Sequence, residues 1–176
     1  MQTIEFFKQC AGKWFSQRTS HSLPPQELEA GQSQLSVELL TASDSAVIAL
    51  CQQSQLSPDS VLCGLQTKWE GTVGASSAKE TGSALLVAIA DTEDAQTGKL
   101  LRQAKTPGEA PLSGRYVMNS DESLTIILES DALKIEERLW FASDNLRERT
   151  STIQHADGSS YASFCSEIRM GVQKQA

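Results

Sequence analysis

The sequence predicts an all-β protein: a closed antiparallel meander barrel of about ten strands, with an N-terminal helix and one further short helix. Three observations predict it. From residue 61 onward, alternating or β-branched runs follow one another, separated by clusters of Gly, Asp, Asn and Ser of the kind hairpins require. So many consecutive short strands favour closure over an open sheet with unprotected edges. The first strand-like run, GKWFSQRTSH over 12–21, starts on a tryptophan and then spends polar residues in mid-run. That suits a barrel whose inside is not filled by aliphatic side chains and holds something else.

The elements follow in order. TIEFFKQCA predicts one or two helical turns that set Ile4, Phe6 and Phe7 toward one side, with Thr3 as the cap. After His21, the Pro24-Pro25 pair breaks the first strand. Over 32–40, Leu35, Val37 and Leu39 alternate with Ser36 and Glu38, the period of a half-buried strand. Over 43–53 the spacing turns helical, with Ser43 or Asp44 as cap and Val47, Ile48, Leu50 and Cys51 as the apolar stripe. A loop with Ser57-Pro58-Asp59 leads into strands at 61–74, 82–91, 99–105, 112–119, 123–130, 132–142, 146–154 and 161–171, with 75–81 as a loop.

A chain of 176 residues reads as one domain spanning 1–176, able to bury a core without disulfide staples. Hydrophobic residues make up 39% and charged residues 21%, the balance of a globular protein. The net charge of −7 argues against nucleic acid or an anionic membrane as a main partner, since both need a dense basic face. Cys10, Cys51, Cys63 and Cys165 are scattered without CxxC or metal-ligand spacing. With no secretory leader pattern and no long apolar run, the chain reads as cytoplasmic, its thiols reduced and buried. No hydrolase triad can be assembled: His155 lies in a turn, and no serine sits in a nucleophile elbow. Phosphate-binding and dinucleotide fingerprints and metal clusters are missing from the pattern as well.

The residues with chemical interest gather late in the chain. Leu133, Ile135, Glu137, Leu139 and Phe141 share one strand face, so Glu137 sits inside an apolar stripe. Desolvation would raise its pKa unless a cation faces it. The plain alternative is a structural ion pair. Arg147, Arg149 and Ser151 share the next strand's face, a spacing suited to clamping a carboxylate-bearing ligand or simply to solvated charge. A regular two-residue turn at Asp144-Asn145 would set the arginines beside Arg138 and Trp140; a bulged register brings them alongside Glu137. Crowding three guanidiniums on one face is costly, which favours the bulge. Trp69 is a wall for a flat ligand or part of the core. Trp14 reads as structural, closing the barrel floor under a cation such as Arg169. Arg18 shares strand parity with Trp14, whereas His21 does not and would join a pocket only through a bulge or at the rim.

Taken together, GKWFSQRTSH, the segment Glu29-Ala30-Gly31, the strand holding Trp69-Glu70-Gly71, and EERLWFASDNLRERTS resemble the S-type phycobiliprotein lyases, the bilin chaperone-lyases of phycobilisome-containing cells. The likeness runs over nearly the whole chain, although Gly-x-Trp alone is shared with the broader lipocalin group. The resemblance implies a lipocalin-like ten-stranded barrel and an open-chain tetrapyrrole substrate, phycocyanobilin, with no tightly bound cofactor. It implies delivery to a cysteine thiol of a phycobiliprotein subunit, phycocyanin or allophycocyanin, with a thioether formed at the ring A side chain. Family pocket roles fall on Arg18, Trp69, Glu137, Arg147 and Arg149, and further on His21 and Trp140. No catalytic cysteine is implied, and monomer and homodimer both remain open. The same barrel physics allows a non-catalytic carrier of a small hydrophobic anion, or an interaction protein with a solid core.

Overall fold

The computed structural model describes residues 1–24, 27–73, 79–91, 95–104 and 109–171. Pro25, Gly74, Lys105 and loop positions 75–78 lie outside these. Ten strands follow one another: β1 (Gly12–Leu23), β2 (Glu27–Leu40), β3 (Val61–Val73), β4 (Glu80–Ala90), β5 (Thr97–Arg102), β6 (Leu112–Met118), β7 (Leu124–Glu129), β8 (Leu133–Ser143), β9 (Leu146–His155) and β10 (Ser160–Arg169). Each pairs antiparallel with its neighbours in sequence, and β1 pairs with β10, so the sheet closes on itself. Closure removes both edges. Two helices accompany the barrel, α1 (Thr3–Cys10) and α2 (Ser45–Gln53).

Several strand ends shift by one to three residues from the sequence expectation: β4 begins at Glu80, inside the expected 75–81 loop, and β5 runs Thr97–Arg102 rather than 99–105. Two boundaries differ for a physical reason. Gln2, not Thr3, is the N-cap of α1, and Thr3 is the first helical residue, 1% exposed. β2 begins at Glu27 rather than 32, because its polar upper half pairs residue for residue with β1. Asp44 does precede α2, but its carboxylate accepts from the Thr41 amide at 2.7 Å rather than from a helix amide.

The helices sit on opposite sides of the sheet. α2 lies outside the barrel: Val47, Leu50 and Cys51 pack on Leu85, Val87, Ile89 and Leu101. Those four belong to the outward faces of β4 and β5, which explains why β4 reads as a continuous apolar run instead of alternating. α1 enters the barrel end. Phe6 and Phe7 are fully buried with Trp14, Tyr116 and Phe141, with ring centroids 5.0 Å apart for Phe6–Phe141 and 5.9 Å for Phe7–Tyr116. The start of β1 and the end of β10 therefore meet over a hydrophobic stopper.

Arg169 ties this floor together. It donates to the carbonyls of Ala11 (2.8 Å), Gln9 (2.7 Å) and Asp144 (3.2 Å), and its guanidinium lies 4.1 Å over the Trp14 ring. The Trp14 indole N–H donates to the Cys10 carbonyl at 2.9 Å. A cation at the C-terminal end of α1 also answers the partial negative charge of its unpaired carbonyls. Gly12 is required here: its φ is +129°, and a Cβ would stand 2.8 Å from Arg169 Nη1. The Gly-x-Trp triplet is thus explained by one interaction, and Trp14 is structural.

Candidate functional site

Strand register fixes which side chains face the lumen. Trp14 is wholly buried inside, and residues directly opposite one another across a ladder point to the same side. From Trp14 the inward set runs through Leu35, Trp69 and Gly82 on one side and Arg169 on the other. Four residues along β1 from Trp14, Arg18 lies between Gly31 and Cys165, and Cys165 lies opposite Arg149. Glu137 lies between Ile126 and Ser151. Arg18, Trp69 and Glu137 face inward yet each is only partly buried, so solvent reaches the lumen above the stopper. The two sides of that lumen differ. The wall from β4 to β8 is mainly apolar, with Leu, Ile, Ala and Tyr side chains and with Arg102 and Glu137 as its charged members, whereas β9, β10 and β1 contribute Ser151, Ser163, Ser16, Ser20 and Ser22. Hydroxyl groups lie on the serine side.

The β8–β9 hairpin adopts the bulged register. Its turn is the two-residue Asp144-Asn145, but the ladder slips between Phe141 and Ser143, so Leu139 faces Arg149 and Phe141 faces Arg147. Both arginines therefore point into the barrel. Arg138 and Trp140 point out.

Glu167, which sequence reasoning missed, stands between the arginines. It is fully buried; its Oε2 accepts from Arg147 Nε at 2.6 Å, and its Oε1 lies 3.4 Å from Arg149 Nη2. The second contact is an ion pair without hydrogen-bond alignment: Glu167 Oε1 and Arg149 Nε are both buried with no hydrogen-bond partner. Arg147 is 5% exposed and lies 4.8 Å over the Trp14 ring, so it belongs to the floor. Arg149 keeps 31% of its side chain exposed and donates to Cys165 Sγ at 3.6 Å. Burial works against the Arg149 charge, but the carboxylates of Glu167 and Glu137 outweigh it and hold its pKa above the ordinary value. Arg149 is thus the cation that faces Glu137. The signal for Glu167 was its parity with Cys165 and Tyr161, which only the β9–β10 register could place opposite Arg147.

Trp69 lies flat on backbone: a Cβ at Gly82 would stand 2.2 Å from its Cζ2, so Gly82 lets the indole lie down along the wall. Arg18 makes no hydrogen bond or ion pair among the described residues. The other two expected residues stay outside the lumen. β1 has no bulge, and His21 is exposed on the outer face. Trp140 lines a surface cleft of about 450 Å³ with Met1, Asp121, Arg138 and Thr150. Among the described residues no group of three or more His, Cys, Asp or Glu could hold a metal ion. No helix among them is long and apolar enough to cross a membrane.

The four cysteines are free and buried. Burial pushes the Cys10 and Cys51 thiols up, and Cys63 up to about 12. None of these three is an activated nucleophile. The linkage has a definite sign: above about pH 8.5 the unfolded thiol ionises while folded Cys63 keeps its proton until about pH 12. Stability is expected to fall across that window, and Cys63→Ala should flatten the fall in urea midpoint between pH 8 and 11. Equal slopes in both proteins would refute this.

The fold and lumen define a class: a closed antiparallel barrel whose inward face carries charged residues and a run of serines above a hydrophobic stopper. Comparison with known proteins narrows it. The family described as CpeS-like protein matches residues 2–170, and the chain belongs to that family. It is 50% identical over 176 residues to "Chromophore lyase CpcS/CpeS" of Thermosynechococcus vestitus, covering 100% of this chain and 97% of that protein. "Phycocyanobilin lyase subunit CpcS" of Picosynechococcus sp. is 34% identical over 168 residues, covering 94% and 85%. Among solved structures, the S-type phycobiliprotein lyase CPES from Guillardia theta superposes with a TM-score of 0.87 at 30% identity, covering 98% of this chain and 95% of that one. These likenesses place the chain among the bilin lyases, and the ten-stranded barrel with two helices is that of the S-type fold.

Proposed function

We propose that this chain binds phycocyanobilin in its lumen and delivers it to a cysteine thiol of a phycocyanin or allophycocyanin subunit in the cytoplasm. The observation that carries this reading is the pairing of Arg18, an inward cation without a partner among the described residues, with Glu137 and Arg149 across the serine-lined wall. A bilin presents two propionates and a row of basic pyrrole nitrogens. Arg18 and Arg149 suit the propionates; Glu167, which also clamps Arg147, supports Arg149 from below. Glu137 suits a pyrrole nitrogen, where a shared proton makes the ring A ethylidene more electrophilic. Trp69 offers a flat wall.

In the transfer the acceptor's sulfur bonds to the ethylidene carbon, the double-bond electrons move into the ring system, and a proton is taken up there. No oxidant is needed. The barrel's part is to hold one conformer with ring A presented. Mixing the protein with phycocyanobilin should sharpen and red-shift the long-wavelength band, and added acceptor subunit should gain covalent bilin above the spontaneous background. Binding without transfer would leave a carrier; no spectral change at micromolar concentrations would sink both. Arg18→Ala and Arg149→Ala should each weaken binding by about 1–3 kcal/mol, read by bilin titration. Normal affinity in both would move the anion site elsewhere.

A further inference from the structure

We propose that Arg102 is a further carboxylate-binding residue of the lumen, on the wall opposite Arg18 and Arg149, so that the barrel selects ligands carrying two carboxylates held apart. The inference rests on the bilin reading above and adds a residue outside the motifs that carry the family likeness. Strand alternation fixes its direction. Leu101 is 1% exposed and packs under α2 on the outside of the sheet, while Leu100 is fully buried in the barrel core. Arg102 takes the side of Leu100, and its ladder partners are Leu86 on β4 and Leu112 on β6. It is half-buried, and the inward positions of β5, β6 and β7 carry no other charge. Yet Arg102 makes no hydrogen bond or ion pair among the described residues.

A cation set in an apolar wall loses hydration and ordinarily has a fixed partner. Arg147 follows that rule, held by Glu167. Arg102 does not, and an unpaired guanidinium on an inner wall suits an anion that the ligand brings. Its place suits the same role. In the ring of ten strands β5 stands four strands from β9 and four from β1, so Arg102 faces Arg149 and Arg18 across the lumen. Its height matches as well. The ladder row of Arg149 runs through Leu139, Leu124 and Met118 to Gln96, whose carbonyl accepts from the Met118 amide at 2.7 Å. Leu124 and Met118 pack in the core with Phe6 and Phe7, so this row descends toward the floor as it approaches β5. Arg102 lies six residues beyond Gln96 toward the mouth. Strands tilted by about 35–45° to the barrel axis offset a ladder by about four to six residues over four strands. Arg102 therefore stands close to the level of Arg149. Arg18 and Arg149 flank Cys165 on a single row and can close on one carboxylate, while Arg102 takes the other. A bilin with two propionates engages both walls and is fixed in rotation; a monocarboxylate engages only one.

Equilibrium titration of the full chain with phycocyanobilin and with its dimethyl ester, in which both propionates are uncharged, tests this. The wild type should bind the diacid more tightly than the diester. Arg102→Gln should lose about tenfold or more in affinity for the diacid and nothing for the diester, and Arg102→Lys should recover part of the loss. Lys99→Gln, exposed on the outer face of the same strand, should leave both affinities unchanged. Because Arg102 holds no partner in the free protein, Arg102→Gln should also unfold at the wild-type thermal midpoint. Wild-type diacid affinity in Arg102→Gln would overturn the inference, and so would the same loss in Lys99→Gln. Equal losses for diacid and diester, or a midpoint lower by several degrees, would overturn it by making Arg102 a packing residue. These results leave the bilin reading in place, whereas a wild type that binds neither form would overturn both.

Discussion

Glu167→Gln is expected to cost about 3–5 kcal/mol of folding stability, the usual penalty for stripping a buried charge of its partner. The carboxylate is fully buried and faces both Arg147 and Arg149. The glutamine carbonyl can still accept from Arg147 Nε, so the variant isolates charge from shape. Arg147 then stands in the lower barrel without an anion, and Arg149 beside it keeps only Glu137. Urea unfolding should show a midpoint lower by about 1–3 M at unchanged slope. Arg147→Met in the Glu167→Gln background should recover more than half of the loss, because an apolar chain over Trp14 replaces an unpaired cation. A loss below about 1 kcal/mol would mean that water or movement of Arg149 compensates the triad, and the barrel floor would need another account.

Glu137→Gln is expected to leave bilin binding nearly intact while slowing transfer about 10²-fold or more, the typical contribution of a positioned acid. The bound spectrum should shift to the blue, because a neutral amide stabilises a protonated pyrrole nitrogen far less than a carboxylate does. Ser151 and Ile126 flank Glu137 and fix its height in the lumen, so the substitution changes proton chemistry rather than geometry. Unchanged spectrum and unchanged transfer rate together would remove Glu137 from the mechanism. A loss of affinity instead would recast it as an anchor.

Strand order, the helix of 45–53 and the inward parity of Arg18, Trp69 and Glu137 were legible in the sequence, because period-2 alternation and turn chemistry are local. The bulge at Ala142 was legible for an electrostatic reason: the regular register would have put Arg138, Arg147 and Arg149 side by side. Trp14 under Arg169 was legible as a floor contact. Glu167 was not, since its role depends on where β10 lands on β9. The real start of β2 at Glu27 was hidden because it rests on pairing rather than on an apolar pattern. His21 and Trp140 entered from family likeness against their own parity, and parity decided their place.

Pairing of β1 with β10 sets the timing of this protein's birth as well as its shape. Trp14 finds its partner Arg169 only when the last strand has been made, so the chain emerges from the ribosome with its first strand still an open edge. Nearly the whole sequence must wait before the barrel can shut, a topology that folds slowly and late. The nascent first strand, with Phe15 outward and Lys13 its only outward fixed charge, is then the most adhesive edge the polysome presents. A stall before residue 160 leaves that edge uncovered, and is expected to send the chain to aggregates or chaperones.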